Sequence, residues 1–152
     1  MRSATRILLA STAFLLAASA GLAQQGAVKR AASPGGPRVI ATVKQIMVAL
    51  TIPSSDAVFD AASEPPKTDA EWTKVAAHAL VLAESGNLLM IGSRAKDREA
   101  WMKMARAQVD AAEAVMKAAA AKNADALSKT GDALYETCDA CHTRYMDKDE
   151  PK

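Results

Sequence analysis

Two cysteines and one histidine near the C-terminus are the residues whose types and spacing point most clearly to chemistry. Cys138 and Cys141 are separated by two residues, and His142 follows directly. Positions three and four apart lie on one face of a helix, so each thiol could reach one vinyl edge of a porphyrin while the imidazole turns beneath its iron. Cys-x-x-Cys-His is also the pattern of covalent haem attachment. We therefore expect one covalent haem c, with Cys138 and Cys141 as thioether attachment points and His142 as the proximal axial ligand.

Other uses of these cysteines fit the sequence less well. A redox-active pair normally opens a helix after a strand, where the helix N-terminus lowers the thiol pKa, whereas this pair falls late in a predicted helix. Structural zinc needs four ligands, and the one other histidine, His78, is distant in sequence. A Cys–His nucleophile needs an oriented third group, which the sequence does not suggest. A haem-free helical interaction protein with a Cys138–Cys141 disulfide is the alternative.

The rest of the chain predicts helices and no strand. Alanine and leucine dominate the apolar residues, which favours helix. Four amphipathic segments joined by short loops predict an all-α fold, an antiparallel four-helix bundle with up-down-up-down topology. The positions expected to face its core are Ile40, Val43, Met47 and Leu50 in the first segment, Trp72, Val75, Ala79, Leu82, Gly86 and Leu89 in the second, Trp101, Met104, Gln108, Ala112, Val115 and Ala119 in the third, and Leu127, Thr130, Leu134, Cys138, Cys141 and Tyr145 in the fourth.

Local signals predict where these helices begin and where the first is broken. The first helix is expected to start near Arg38 and to be interrupted at Pro53, which lacks an amide donor and clashes with the preceding turn. Ser54 or Ser55 would then cap a second stretch of that helix. Further caps are predicted at Thr68 with Glu71, at Asp97 and at Asn123.

The N-terminal residues are typical of an export signal. Residues 1–23 combine early arginines, a short apolar run and small residues that suit cleavage after Ala23. The apolar run is shorter than the roughly 20 residues of a spanning helix, which makes an uncleaved anchor the weaker alternative. We expect a flexible leader over residues 24–37, a single domain over residues 38–148, and a periplasmic location.

Charge gives no indication of a nucleic-acid partner. The chain has 19 Lys and Arg against 17 Asp and Glu, and Arg2 and Arg6 belong to the signal, so the mature polypeptide is close to neutral. A nucleic-acid-binding protein would show a clustered basic surface. No acid–base pair, nucleophile or substrate pocket is evident either, and we do not expect an enzyme.

The residues around the motif resemble a known family. The stretch Leu-Tyr-Glu-Thr-Cys-Asp-Ala-Cys-His-Thr-Arg-Tyr at 134–145 is similar to the final helix of the cytochrome c′ / cytochrome c-556 family, the class II c-type cytochromes. This resemblance implies a four-helix bundle, often a dimer, with one haem bound between the helices. It implies thioether bonds at Cys138 and Cys141 and axial ligation by His142, and Arg144 is similar to the basic position that often follows.

Members of that family differ at the sixth iron position, and the resemblance carries two functions. A methionine from the first helix makes a low-spin electron carrier, and here Met47 is the candidate. An apolar side chain from the same helix leaves the position open for a diatomic gas, and Val48 would take that role if the register shifts by one residue. The first reading implies redox partner proteins, and the second implies binding of nitric oxide or carbon monoxide.

Overall fold

The computed structural model describes residues 36–146, which are all-helical and contain no strand, so the predicted all-α class is confirmed for this range. Its elements in chain order are α1 (Val43–Ile46), a π-helical turn (Met47–Thr51), α2 (Ile52–Ser63), α3 (Asp69–Leu89), a 3-10 turn (Gly92–Arg94), α4 (Ala100–Ala120) and α5 (Ala124–Tyr145). The first three follow one another without a break, and residues 43–63 are called the first helical run below. Within residues 36–146, no helix is long and apolar enough to cross a bilayer. The predicted signal peptide, and the leader up to residue 35, lie outside the described residues.

Side chains that cap the N-termini explain where the helices begin. The Thr42 hydroxyl accepts from the Gln45 amide at 3.2 Å, and the Gln45 side chain accepts from the Thr42 amide at 2.9 Å. This capping box was not predicted. The predicted caps at Thr68 with Glu71 and at Asn123 are both present. Each cap satisfies amide groups that have no partner inside their own helix.

The first helix begins later than predicted, which moves one apolar residue out of the core. α1 starts at Val43 rather than near Arg38 because the capping box fixes its first turn at Thr42. Ile40 therefore precedes the helix, and its predicted place on the core face is wrong, since it is 84% exposed. Ile46, which the predicted stripe omitted, is the buried residue of α1.

The backbone is helical on both sides of Pro53, which lies second in α2. Ser54 and Ser55 are buried inside α2, so their predicted role as caps of a restarted helix is wrong. The Ser55 hydroxyl donates instead to the Ile52 carbonyl at 3.0 Å. The departure from regular α-helix lies before the proline, in the π-turn.

The core consists of two apolar clusters with a polar layer between them. The larger cluster contains Val58, Trp72, Val75, Ala79, Leu82, Ala83, Ala112, Val115, Ala118, Ala119, Leu127 and Leu134, and the smaller contains Ile46, Leu89, Trp101 and Ala105. In the layer, the Thr51 hydroxyl donates to Ser85 Oγ at 3.1 Å, and Gln108 Nε2 donates to the same oxygen at 2.9 Å. Ser85 Oγ in turn donates to the Leu82 carbonyl at 2.9 Å. Hydrogen bonding therefore offsets the cost of burying these polar groups.

α5 packs against both α4 and α2, while α3 packs along α4. At Gly131 the last helix comes close to α2, because a Cβ there would lie 2.9 Å from the Ala62 Cβ. Nearby, the rings of Phe59 and Tyr135 meet edge to face with their centroids 6.1 Å apart. The side of α2 that carries Phe59 and Ala62 therefore faces α5.

The contact at Gly131 predicts a position where α5 tolerates no side chain. Gly131→Leu should destabilise the fold by about 1–3 kcal/mol, because the new atoms must displace the Ala62 side of α2. Ala133→Leu is the control, since Ala133 is exposed on the same helix, and its effect should stay within about 0.5 kcal/mol. Thermal and denaturant unfolding followed by circular dichroism measure both, and equal effects would contradict the assigned contact.

Candidate functional site

α5 carries the motif in its last two turns. The helix is continuous from Ala124 to Tyr145, so Cys138, Cys141 and His142 fall within an arc of about 100° on one side of it. The predicted stripe is confirmed, since Leu127 and Leu134 are buried and its remaining members, Thr130, Cys138, Cys141 and Tyr145, are half-buried. Gly131, which is also buried, was missed because glycine carries no apolar signal.

Both cysteines lie at the margin of the core as free thiols. Burial raises the pKa of the Cys138 thiol, against a smaller opposite effect of a hydrogen bond from Thr137. Burial, and to a lesser extent the neighbouring Cys138, raise the pKa of Cys141. The two groups are therefore protonated at neutral pH, unlike the low-pKa thiolates of redox-active pairs.

The imidazole of His142 lies outside the core, at the edge of the stripe. His142 comes about three helical turns after Gly131, so both project from the same side of α5. This is the side that contacts α2 through Gly131 and Tyr135. Shallow surface hollows between α3 and α4 and along residues 40–49 include none of the three motif residues. In the described part of the chain, no three His, Cys, Asp or Glu side chains converge on a possible metal site.

Tyr145 holds the end of α5 that bears the motif. Its hydroxyl donates to the Asp97 carboxylate, and its ring meets the Trp101 ring edge to face at 5.0 Å between centroids. Asp97 also accepts from the amides of Glu99 at 3.1 Å and Trp101 at 3.0 Å. The N-cap of α4 is nevertheless Glu99, so the predicted cap at Asp97 is wrong by two residues. The hydrogen bond from Tyr145 contributes most to lowering the pKa of Asp97, and the hydrogen bonds from the backbone amides lower it further. One carboxylate thus joins the start of α4 to the last turn of α5.

Met47 and Val48, the two candidates for the sixth position, have different surroundings. Met47 is half-buried and packs against the smaller core cluster, against which Tyr145 also packs. Val48 is 62% exposed. The first helical run and the end of α5 therefore meet at one small apolar cluster, with Met47 on it and Val48 outside it.

Ile52 is a further apolar residue on the side of α2 that faces α5, and the sequence pattern did not single it out. It lies about two helical turns before Phe59, so it projects from the same side of α2. Its side chain is 49% exposed. The sequence signal for Ile52 is its spacing of seven residues from Phe59, outside the stripe that was predicted to face the core.

The bond between Tyr145 and Asp97 predicts a pH-dependent contribution to stability. The hydrogen bond from Tyr145 lowers the pKa of Asp97 from the ordinary 3.8, and burial and the carboxylate raise that of Tyr145 from 10.0. The stabilisation is therefore present above the ordinary carboxyl pKa and below the ordinary phenol pKa. It is lost as pH falls through the folded-state pKa of Asp97 or rises through that of Tyr145.

Tyr145→Phe should consequently lower the Tm at neutral pH and lower it less in acid, where Asp97 is protonated. Tyr135→Phe is the control, because Tyr135 is exposed and lies on the same helix. Thermal unfolding from neutral pH down to about pH 2 gives both differences. A Tm difference that does not change with pH would show that the hydroxyl does not bond to an ionised Asp97.

Comparisons of the chain with protein-family models, curated proteins and solved structures find no significant match. Function is therefore inferred from the residues of α5 and from what surrounds them.

Proposed function

We propose that this chain is an exported c-type cytochrome that carries electrons, with one haem c joined to Cys138 and Cys141 and with His142 as an axial ligand. The proposal includes a periplasmic location, a redox protein as partner and no catalytic activity of its own. It takes the fold as an antiparallel four-helix bundle with up-down-up-down topology, as the resemblance to the cytochrome c′ family implies. The four members are the first helical run, with its irregularity before Pro53, and α3, α4 and α5.

The observation that carries the proposal is how the pentapeptide lies on α5. Its two thiols are free and half-buried at the core margin, and its imidazole projects on the side that faces α2. Haem iron takes only axial ligands from the protein, so one histidine suffices as the proximal ligand. These three residues therefore fit the donor set that covalent haem attachment requires.

Both thiols are suited to addition to a vinyl group. Each cysteine is a free thiol, so it brings both the sulfur and the hydrogen that the addition consumes. Sulfur would bond to one vinyl carbon and hydrogen to the other, while the S–H bond and the carbon–carbon π bond are lost. The addition needs no oxidant or reductant. The attached haem would supply one-electron redox chemistry at its iron.

Contacts between α2 and α5 support an apolar wall beside the motif. Two contacts join these helices, Ala62 with Gly131 and Phe59 with Tyr135. The residue that lies later in α5 contacts the residue that lies earlier in α2, which fits an antiparallel pair. Continued for about two more turns, this register brings Ile52 to the level of the second cysteine and the histidine. A porphyrin there would cover an isoleucine that is now half exposed, which is favourable.

Met47 is the proposed sixth ligand. It packs against the same cluster as Tyr145, which follows His142 by one turn. The first helical run thus reaches the level at which the iron would lie. Methionine together with histidine raises the reduction potential of haem iron, and a six-coordinate iron changes little in structure when it gains an electron. Both properties suit an electron carrier.

Periplasmic expression with the haem-attachment machinery tests the proposal. The intact mass should increase by one haem, and the oxidised protein should show the methionine-to-iron charge-transfer band. The double variant Cys138→Ala with Cys141→Ala is the control and should retain no haem after denaturation. An unmodified, colourless wild-type chain would refute the proposal. Five-coordinate high-spin bands that respond to nitric oxide or carbon monoxide would identify a gas binder instead of a carrier.

Ile52 gives a separate test of where the haem lies. Ile52→Asp should reduce the yield of covalent haem several-fold, because a carboxylate would be desolvated against the porphyrin. Leu80→Asp is the control, because Leu80 on α3 is equally exposed, at 49%. Haem content per chain, measured by pyridine haemochrome and intact mass, gives the comparison. Equal yields from the two variants would place the haem away from Ile52.

A further inference from the structure

The π-turn Met47–Thr51 allows two residues five positions apart to be buried together. Ile46 and Thr51 are 2% and 5% exposed. In a regular α-helix, side chains five apart project about 140° from each other, so both could not face the core. In a π-turn the hydrogen bonds join residues five apart, and here the Ile52 amide donates to the Met47 carbonyl. The turn therefore shifts the helical phase by one residue.

The ring of Pro53 and the packing of two buried side chains both hold this turn in place. In a regular α-helix, the ring of Pro53 would clash with the carbonyl of Ala49, the fourth residue before it. The Thr51 hydroxyl donates to Ser85 Oγ at 3.1 Å in the buried polar layer. Ile46 lies in the smaller core cluster. Separate contacts thus hold the residues at the two ends of the turn, Ile46 and Thr51, against the core.

The extra residue that the π-turn accommodates decides which side chain of the first helical run faces α5. The side of α2 that carries Phe59 faces α5. If α2 continued backwards as a regular helix, Val48 would project from that side and Met47 would point to the core centre. The π-turn rotates the residues before it by about 100°, one residue's step. Ile46 then takes the core position, Met47 takes the side facing α5, and Val48 points to solvent, as its 62% exposure indicates.

We propose that the π-turn Met47–Thr51 is a positioning device that sets Met47, and not Val48, towards the attachment helix. The inference rests on the proposed haem function, and it names the structural feature that selects the sixth ligand. A regular helix of the same sequence would offer valine at this place and leave the iron five-coordinate. The π-turn therefore selects between the electron-carrying and the gas-binding forms of the site.

Moving the methionine by one position tests this assignment on haem-loaded protein. Met47→Leu should abolish the methionine-to-iron band and give high-spin iron, while the covalent haem content stays unchanged. The double variant Met47→Leu with Val48→Met should remain high-spin, because position 48 faces solvent. Recovery of the band in the double variant, or its persistence in Met47→Leu, would overturn the inference.

A deletion tests the phase shift without haem. Deleting Ala49 together with Pro53→Ala should leave a regular helix that still directs Ile46 and Thr51 inward, so the haem-free chain should unfold cooperatively with a similar Tm. Deleting Ala57 with the same Pro53→Ala change is the control. This deletion rotates the residues before position 57 by about 100° relative to the rest of α2, so it should lower the Tm markedly. Equal losses from the two deletions would overturn the phase shift.

The two tests also separate the inference from the function on which it rests. If the wild-type chain attaches no haem, the proposed function fails, and the deletion pair still decides whether the turn sets the register. If haem attaches and position 48 supplies the methionine, the function stands and the positioning role of the turn is wrong. If haem attaches and Met47 alone supplies it, both stand.

Discussion

The geometry of the site depends on the continuity of α5 between two anchors, one buried and one half-buried. Leu127 and Leu134 fix the first part of the helix in the larger cluster, and Tyr145 fixes its last turn against Trp101 and Asp97. Between these anchors a regular helix leaves no rotational freedom, since each residue advances by about 100°. The positions of both thiols and of the imidazole therefore follow from side chains that take no part in the proposed chemistry.

The core is least apolar at the level of the cysteines. On α3 the polar Ser85 lies between Leu82 of the larger cluster and Leu89 of the smaller. The cysteines occupy the corresponding interval of α5, between Leu134 and Tyr145. Because the hydroxyl and amide groups of the layer satisfy one another, the two clusters remain separate without an unpaired buried group. In the proposed function, a haem beside the cysteines would border this interval between the two clusters.

The sequence was sufficient for α5 because its signals agree. The apolar period, the Asn123 cap and the spacing of the cysteines all predict one helix. Of the buried residues of α5, the predicted stripe missed only Gly131. The first helical run was predicted less well, because its apolar pattern changes phase within a few residues. One constant period selects Ile40 and omits Ile46, and it does not place the irregular segment Met47–Thr51. What sequence periodicity could not supply was the π-turn, since the turn is fixed by contacts with α3 and α4 that lie far away in sequence.

Within residues 36–146, alanine supplies six of the sixteen buried apolar residues, which has a consequence for the proposed cofactor. Each buried alanine removes only about one methyl group from water, worth roughly 0.8 kcal/mol per carbon, so the helices pack closely but gain little from each contact. A ligand that binds only the folded chain adds its binding free energy to stability. A haem held by α5 and contacted by Ile52 and Met47 would connect the last helix to the first helical run, in addition to the contact between Phe59 and Tyr135. In this proposal the cofactor is both the redox centre and an apolar component of the fold.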